Sequence, residues 1–188
     1  MNKPLLPTFL IVPLTGLLLM LISAWAKAGS EPAAGFAAHQ IKAVYIYRLA
    51  SFIRWPGDTV LPKRFCVIGR NSITLTLGTL LDKNKLQLLS PTSMTEASKK
   101  CDLLYITEQK LSAFQSLPQY PGLLTISDNP NTLAIGGMIE LRTINNQVKP
   151  AISSQHIHNA NLSVSSMLMR IAITDDEQTA LQQEDANE

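Results

Sequence analysis

Four side chains in this 188-residue chain stand out for the site chemistry that their type and spacing could build: Cys66, Cys101, His156 and His158. The two cysteines are the whole thiol complement. Their spacing is not Cys-x-x-Cys, so a thioredoxin-type redox pair is not supported. Two thiols are also fewer ligands than a zinc site needs. In an exported chain an even count favours a disulfide; the other reading is two separate buried thiols. His156 and His158 make a His-x-His pair, which on a strand would share one face and could begin a metal site. No nearby Cys, Asp or Glu completes it, and solvated loop histidines are the commoner outcome. Gly69 stands alone between an apolar run and a helical segment, where backbone amides can hold an anion, although that turn is also ordinary α/β construction. No GxSxG, GxxxxGK[ST] or GxGxxG motif occurs, and no two carboxylates fall into an acid–base arrangement. The residues therefore predict no catalysis, no cofactor and no metal.

Composition narrows the classes further. Hydrophobic residues make up 46% and charged residues 16%, which argues for a folded chain, and a net charge of +2 is too weak to make nucleic acid the default partner. Residues 1–28 carry Lys3 and Lys27, no acid, an apolar run from Pro4 to Ala26, and the small-residue exit Ala26-Lys27-Ala28 before Gly29. That is the pattern of a secretory signal peptide cut between Ala28 and Gly29, with an uncleaved anchor as the rival. Without those two bases, fourteen Lys and Arg face fourteen Asp and Glu.

The elements that must position these residues follow from periodicity. Apolar steps of three and four at Ile41, Val44, Tyr45, Leu49, Phe52 and Ile53 predict a helix from His39 to Arg54, ended by Trp55-Pro56. Residues 29–38 read as a loose mature N-terminus and 175–188 as a polar tail, with one domain over 39–174 between them. Apolar runs at 65–68, 86–89, 103–106 and 123–126 predict strands. Between them come a helix striped by Ile73, Leu77, Leu80 and Leu81, a helical turn at 95–99 and a helix at 108–117. Asn145-Asn146 predicts a hairpin of 138–141 with 148–152, and a closing helix spans about 160–173 with Val164, Met167, Leu168, Ile171 and Ala172 inward. Strands alternating with helices mean an α/β, three-layer sandwich around a mostly parallel sheet, extended by the antiparallel hairpin and the closing helix. In a 2-1-3-4 strand order Cys66 and Cys101 fall at one end of neighbouring strands, where a disulfide is geometrically reasonable.

Several of these blocks resemble the YfiR-like periplasmic regulators. The resemblance is carried by Ile41-Lys42-Ala43-Val44-Tyr45-Ile46-Tyr47, Phe52-Ile53-Arg54-Trp55-Pro56, Phe65-Cys66-Val67-Ile68-Gly69 and Cys101-Asp102-Leu103-Leu104-Tyr105-Ile106. It continues in Leu124-Thr125-Ile126-Ser127-Asp128, Ile135-Gly136-Gly137-Met138-Ile139 and the segment Leu162 to Ala172. The chain departs from the family at Arg48, where Asn is frequent, at Ile152-Ser153, where Ile-Asn is frequent, and at Asn161, where Gly is usual. The resemblance implies a non-enzymatic periplasmic inhibitor. It would bind the periplasmic domain of an inner-membrane diguanylate cyclase and lower cyclic-di-GMP, and with it biofilm behaviour. An outer-membrane lipoprotein could sequester it, and a homodimer is compatible with the same role. The alternative is an exported receptor for a small ligand at the strand ends. For a protein partner the expected anchors are Arg48 and Arg54 on the opening helix, Arg142 on the hairpin, and His156 and His158.

Overall fold

The computed structural model describes residues 36–57 and 63–173. The predicted signal segment with its Ala28–Gly29 junction and the polar tail lie outside the described residues, as does nearly all of the predicted loose N-terminus. Helix α1 (Ala38–Leu49) leads into the short strand β1 (Ile53–Arg54), then β2 (Phe65–Ile68), α2 (Ser72–Lys83) and β3 (Leu88–Leu89). After these come α3 (Met94–Lys100), β4 (Leu103–Ile106), α4 (Glu108–Leu111) and β5 (Leu124–Ser127). The hairpin β6 (Ile139–Ile144) and β7 (Gln147–Ile152) follows, then α5 (Ser154–Asn159), β8 (Ser163–Val164) and α6 (Ser166–Met169).

Six strands form one sheet in the order β3-β2-β4-β5-β6-β7, parallel except for the β6–β7 pair. Its first four strands have the 2-1-3-4 order, the one in which the two cysteines were expected to fall at one end of neighbouring strands. Alternation along each strand sends Phe65, Val67, Leu103, Tyr105, Leu124 and Ile126 into a core shared with α1 and α2. Cys66, Leu104 and Ile106 enter a second core with Met94, Ala97 and Leu111. Apolar cores on both faces make three layers, which is why these strands read as unbroken apolar runs. The hairpin turns at Asn145 and Asn146, with φ of 49° and 60°, the left-handed pair that a two-residue turn requires and asparagine tolerates.

Cys66 and Cys101 are joined by a disulfide, their Cα atoms 5.9 Å apart. Both are buried in the second core. The bond ties β2 to the residue that ends α3. Beside it, Asp102 accepts the Arg64 backbone N–H at 2.7 Å and the Arg64 Nη2 at 2.9 Å.

Three predicted helices are shorter than their apolar patterns. The opening helix stops at Leu49 instead of Arg54: Ser51 and Phe52 fold back to the Arg48 and Leu49 carbonyls, and Ile53-Arg54 pairs with Val164-Ser163. Arg54 is therefore a strand residue. The helix predicted over 108–117 ends at Leu111, and Leu117 is buried through an irregular stretch instead. The closing helix is split. Asn161 at φ 56° breaks it, residues 163–164 become β8, and Ser165 caps the short α6 through the Leu168 N–H. Strand pairing outweighed helical periodicity in both terminal segments.

Candidate interaction surface

Helix α1 buries Ala43, Ile46 and Leu49, and Ile41 and Tyr45 of the predicted stripe pack partly covered against the same core. Val44, predicted to face inward, is 46% exposed. The helix is apolar on two faces, and only one is consumed by the sheet. Helix α2, capped by Asn71 accepting the Thr74 N–H at 3.0 Å, buries Ile73, Leu77 and Leu81 and leaves Leu75 57% exposed. Between the outer faces of α1 and α2 runs an open groove of about 720 Å³, lined by Phe36, Ile41, Val44, Leu75 and Leu80 and ending in part on Lys83. A smaller depression of about 200 Å³ shares Val44 and Tyr45 with it and continues past Arg48 to Phe52, Leu168 and Ile171. Ile171, another residue predicted to face inward, is half exposed here, and Met167 is more so. Exposed apolar side chains gathered in one place differ from the scattered ones every surface carries, and such patches mark contact sites.

A polar cluster fixes α1 against the carboxyl ends of the strands. Lys42 Nζ lies 3.3 Å from Asp128 Oδ2, the Tyr105 hydroxyl donates to Asp128 Oδ1 at 2.6 Å, and the amide of Asn71 donates to the Tyr105 oxygen at 3.3 Å. One constellation thus links α1, the end of β5, the middle of β4 and the cap of α2. Burial, reinforced by the adjacent Asp128, pushes the Tyr105 phenol well above its ordinary range, so it stays a donor.

At the β2–β4 strand ends the Gly69 turn packs closely against the segment after β4. Gly69 has φ of 100°, and the Thr107 hydroxyl and the Lys110 stem fill the space where a Cβ would sit. Beyond α2, an open cavity of about 390 Å³ lined by Gly69, Arg70, Thr74 and Ser90 is where a receptor reading would place its ligand.

The predicted anchors do not converge. Arg48 is exposed and lines the apolar depression. Arg54 is exposed on β1, away from the helix face assigned to it. Arg142 is mostly covered, its Nε 2.6 Å from Glu140 Oε1. Reversing its charge would disturb a buried carboxylate before it reported on any partner. Burial raises the Glu140 carboxyl against the opposing pull of Arg142, and its second oxygen is buried without a hydrogen-bond partner. His156 and His158 lie on α5, where residues two apart point to different sides. The His156 Nδ1 meets the Gly137 carbonyl at 2.8 Å, while His158 is exposed. The pair therefore does not share a face as it would on a strand. Among the described residues no group of three His, Cys, Asp or Glu could hold a metal, and no helix is long and apolar enough to cross a membrane.

The groove was missed because Val44 sits in a pattern that fits a core equally well, and Leu75, which lies off the inward stripe of α2, gives no sign of what stands beside it. The available signal was that α1 has more apolar positions than one face can hold. A family model described as YfiR/HmsC-like matches residues 39–173. No curated protein matches the chain.

Proposed function

The chain belongs to the YfiR/HmsC-like family, a regulatory and not a catalytic one, and on that premise we propose that it is a periplasmic protein that binds and inhibits the periplasmic part of an inner-membrane diguanylate cyclase. Lower cyclic-di-GMP output, and with it altered biofilm behaviour, follows from that binding. The observation that carries the reading is the apolar groove along α1, a docking face left exposed on the outside of the fold. The disulfide supports an oxidising compartment outside the cytoplasm. Of the expected anchors only Arg48 belongs to this face.

The test is genetic and biochemical together. Deleting the gene should raise cellular cyclic-di-GMP, and restoring it should lower the level again. Affinity capture of the tagged protein from detergent-solubilised membranes should recover diguanylate cyclase activity. Unchanged cyclic-di-GMP together with no captured cyclase would refute the reading.

A further inference from the structure

We propose that the α1–α2 groove takes an amphipathic helix of a partner protein, one whose apolar stripe is flanked by Asp or Glu. This rests on the reading that the domain works by binding a partner, and adds the chemistry of the segment it binds.

The shape comes first. The groove is lined on α1 from Gln40 to Tyr45 and on α2 from Leu75 to Lys83, so its longer wall runs for about 12 Å, or a little over two helical turns. Its lining is mostly apolar, from Phe36, Ile41, Val44, Leu75 and Leu80, with Gln40, Thr76 and Thr79 as its neutral polar members. A concave apolar trough of that length matches a helix laying down anchors at i, i+3 or i+4, and i+7. Charge then selects among helices. The charged side chains lining the groove and the depression that continues it are Lys83 and Arg48, both cationic. Each is exposed, and among the described residues neither forms an ion pair or a side-chain hydrogen bond. An acidic residue beside the partner's apolar stripe would meet a free cation, whereas a basic one would meet repulsion. Self-pairing of this face sets two Arg48 and two Lys83 around one apolar interface with no acid in its lining, so a partner of opposite charge fits better than a second copy.

The experiment uses the full chain and two labelled synthetic helical peptides of about 18 residues with the same Leu stripe, one flanked by Glu and one by Lys. Binding is read by fluorescence anisotropy at moderate salt. The Glu peptide should bind at least about tenfold tighter than the Lys peptide. Val44→Asp and, separately, Leu75→Asp should abolish binding; both side chains are exposed, and circular dichroism checks that each variant keeps its fold. The double change Arg48→Glu with Lys83→Glu should reverse the peptide preference. Equal binding of both peptides, or Glu-peptide binding untouched by both groove variants, would overturn the proposal. So would a concentration-dependent dimer abolished by Val44→Asp, which would assign the groove to a second copy. Co-sedimentation with anionic but not zwitterionic vesicles, lost in the same variants, would assign it to a membrane and overturn the proposal as well. None of these readouts involves a cyclase. A failed cyclic-di-GMP assay with an intact charge reversal would therefore refute the cyclase reading and leave the groove chemistry standing.

Discussion

Breaking the Cys66–Cys101 bond should cost about 4 kcal/mol of stability. The bond closes a segment of sequence separation 35. Loop-closure entropy for that length, released into the unfolded chain, gives about 3.8 kcal/mol at 25 °C. Unfolding entropy for a folded span of this size is about 0.28 kcal/mol/K, so the melting midpoint should fall by about 14 °C. Two forms of the perturbation separate the cross-link from its packing. Reduction of the native protein keeps both sulfurs in the apolar cluster of Met94, Ala97, Leu104 and Ile106, where thiols are well tolerated. The Cys66→Ala/Cys101→Ala double variant also removes the sulfurs and should lose slightly more. Thermal melts followed by circular dichroism, with and without reductant, measure the first; urea melts of the variant measure the second. The cysteines lie on the sheet face opposite α1 and α2, so peptide binding in the groove should survive below the lowered midpoint. Oxidised and reduced proteins melting within about 3 °C of each other would refute the loop-entropy argument.

Other perturbations test the polar groups. Tyr105→Phe removes a donor from Asp128 and an acceptor from Asn71, and should lower stability by about 1–3 kcal/mol in urea melts; the native phenol should show no ultraviolet titration through the ordinary tyrosine range. At Asp102 burial acts to raise the carboxyl, but hydrogen bonds and charge from Arg64 win and hold it below the ordinary range. The unfolded chain therefore binds that proton more readily, so this stability is present at neutral pH and is lost as pH falls through the lowered value. Asp102→Asn should cost about 1 kcal/mol at pH 7, since Arg64 is half exposed, and the difference should vanish in strong acid. Glu140 has the opposite sign: its folded carboxyl is raised, so stability falls as pH climbs above the ordinary glutamate range. Glu140→Gln should flatten that slope in melting midpoint against pH; parallel curves for the two proteins would show that Glu140 does not carry it.

How much of this was legible depended on whether local and long-range preferences agreed. Phe65–Ile68, Leu103–Ile106 and Leu124–Ser127 are apolar without a break because helices cover both faces, and the sequence predicts them within a residue. Asn145-Asn146 announced its turn because few residues accept that backbone. Positions 50–54 and 160–173 failed for one shared reason. Their apolar spacing suits a helix, yet Ile53 and Val164 are partners in a two-stranded ribbon formed by the two ends of the described fold. Pairing across that separation leaves no local trace. The groove failed differently: Val44 is apolar at helical spacing, and only the packed structure tells which apolar residues of α1 meet the sheet, while Leu75 lies off the inward stripe of α2 and is exposed. The histidine pair was legible as a pair, but its meaning turned on whether Ser153 capped a helix there, as it does through the His156 N–H.

The outer margins of the main sheet have a consequence for solubility. At one margin β3 is only two residues long and is followed by Ser90-Pro91. At the other, the Pro150 carbonyl of β7 points away from the sheet and accepts the Ile173 N–H at 2.9 Å, so the ring nitrogen of Pro150 faces the same open side. A nitrogen without a hydrogen there withholds a donor from any incoming chain, Ile173 occupies the neighbouring acceptor, and Lys149 adds charge to the rim. Neither margin offers a long flat template for another molecule's backbone. The fold can therefore keep an oily groove between its helices open to the surroundings without also inviting fibre growth through its strands.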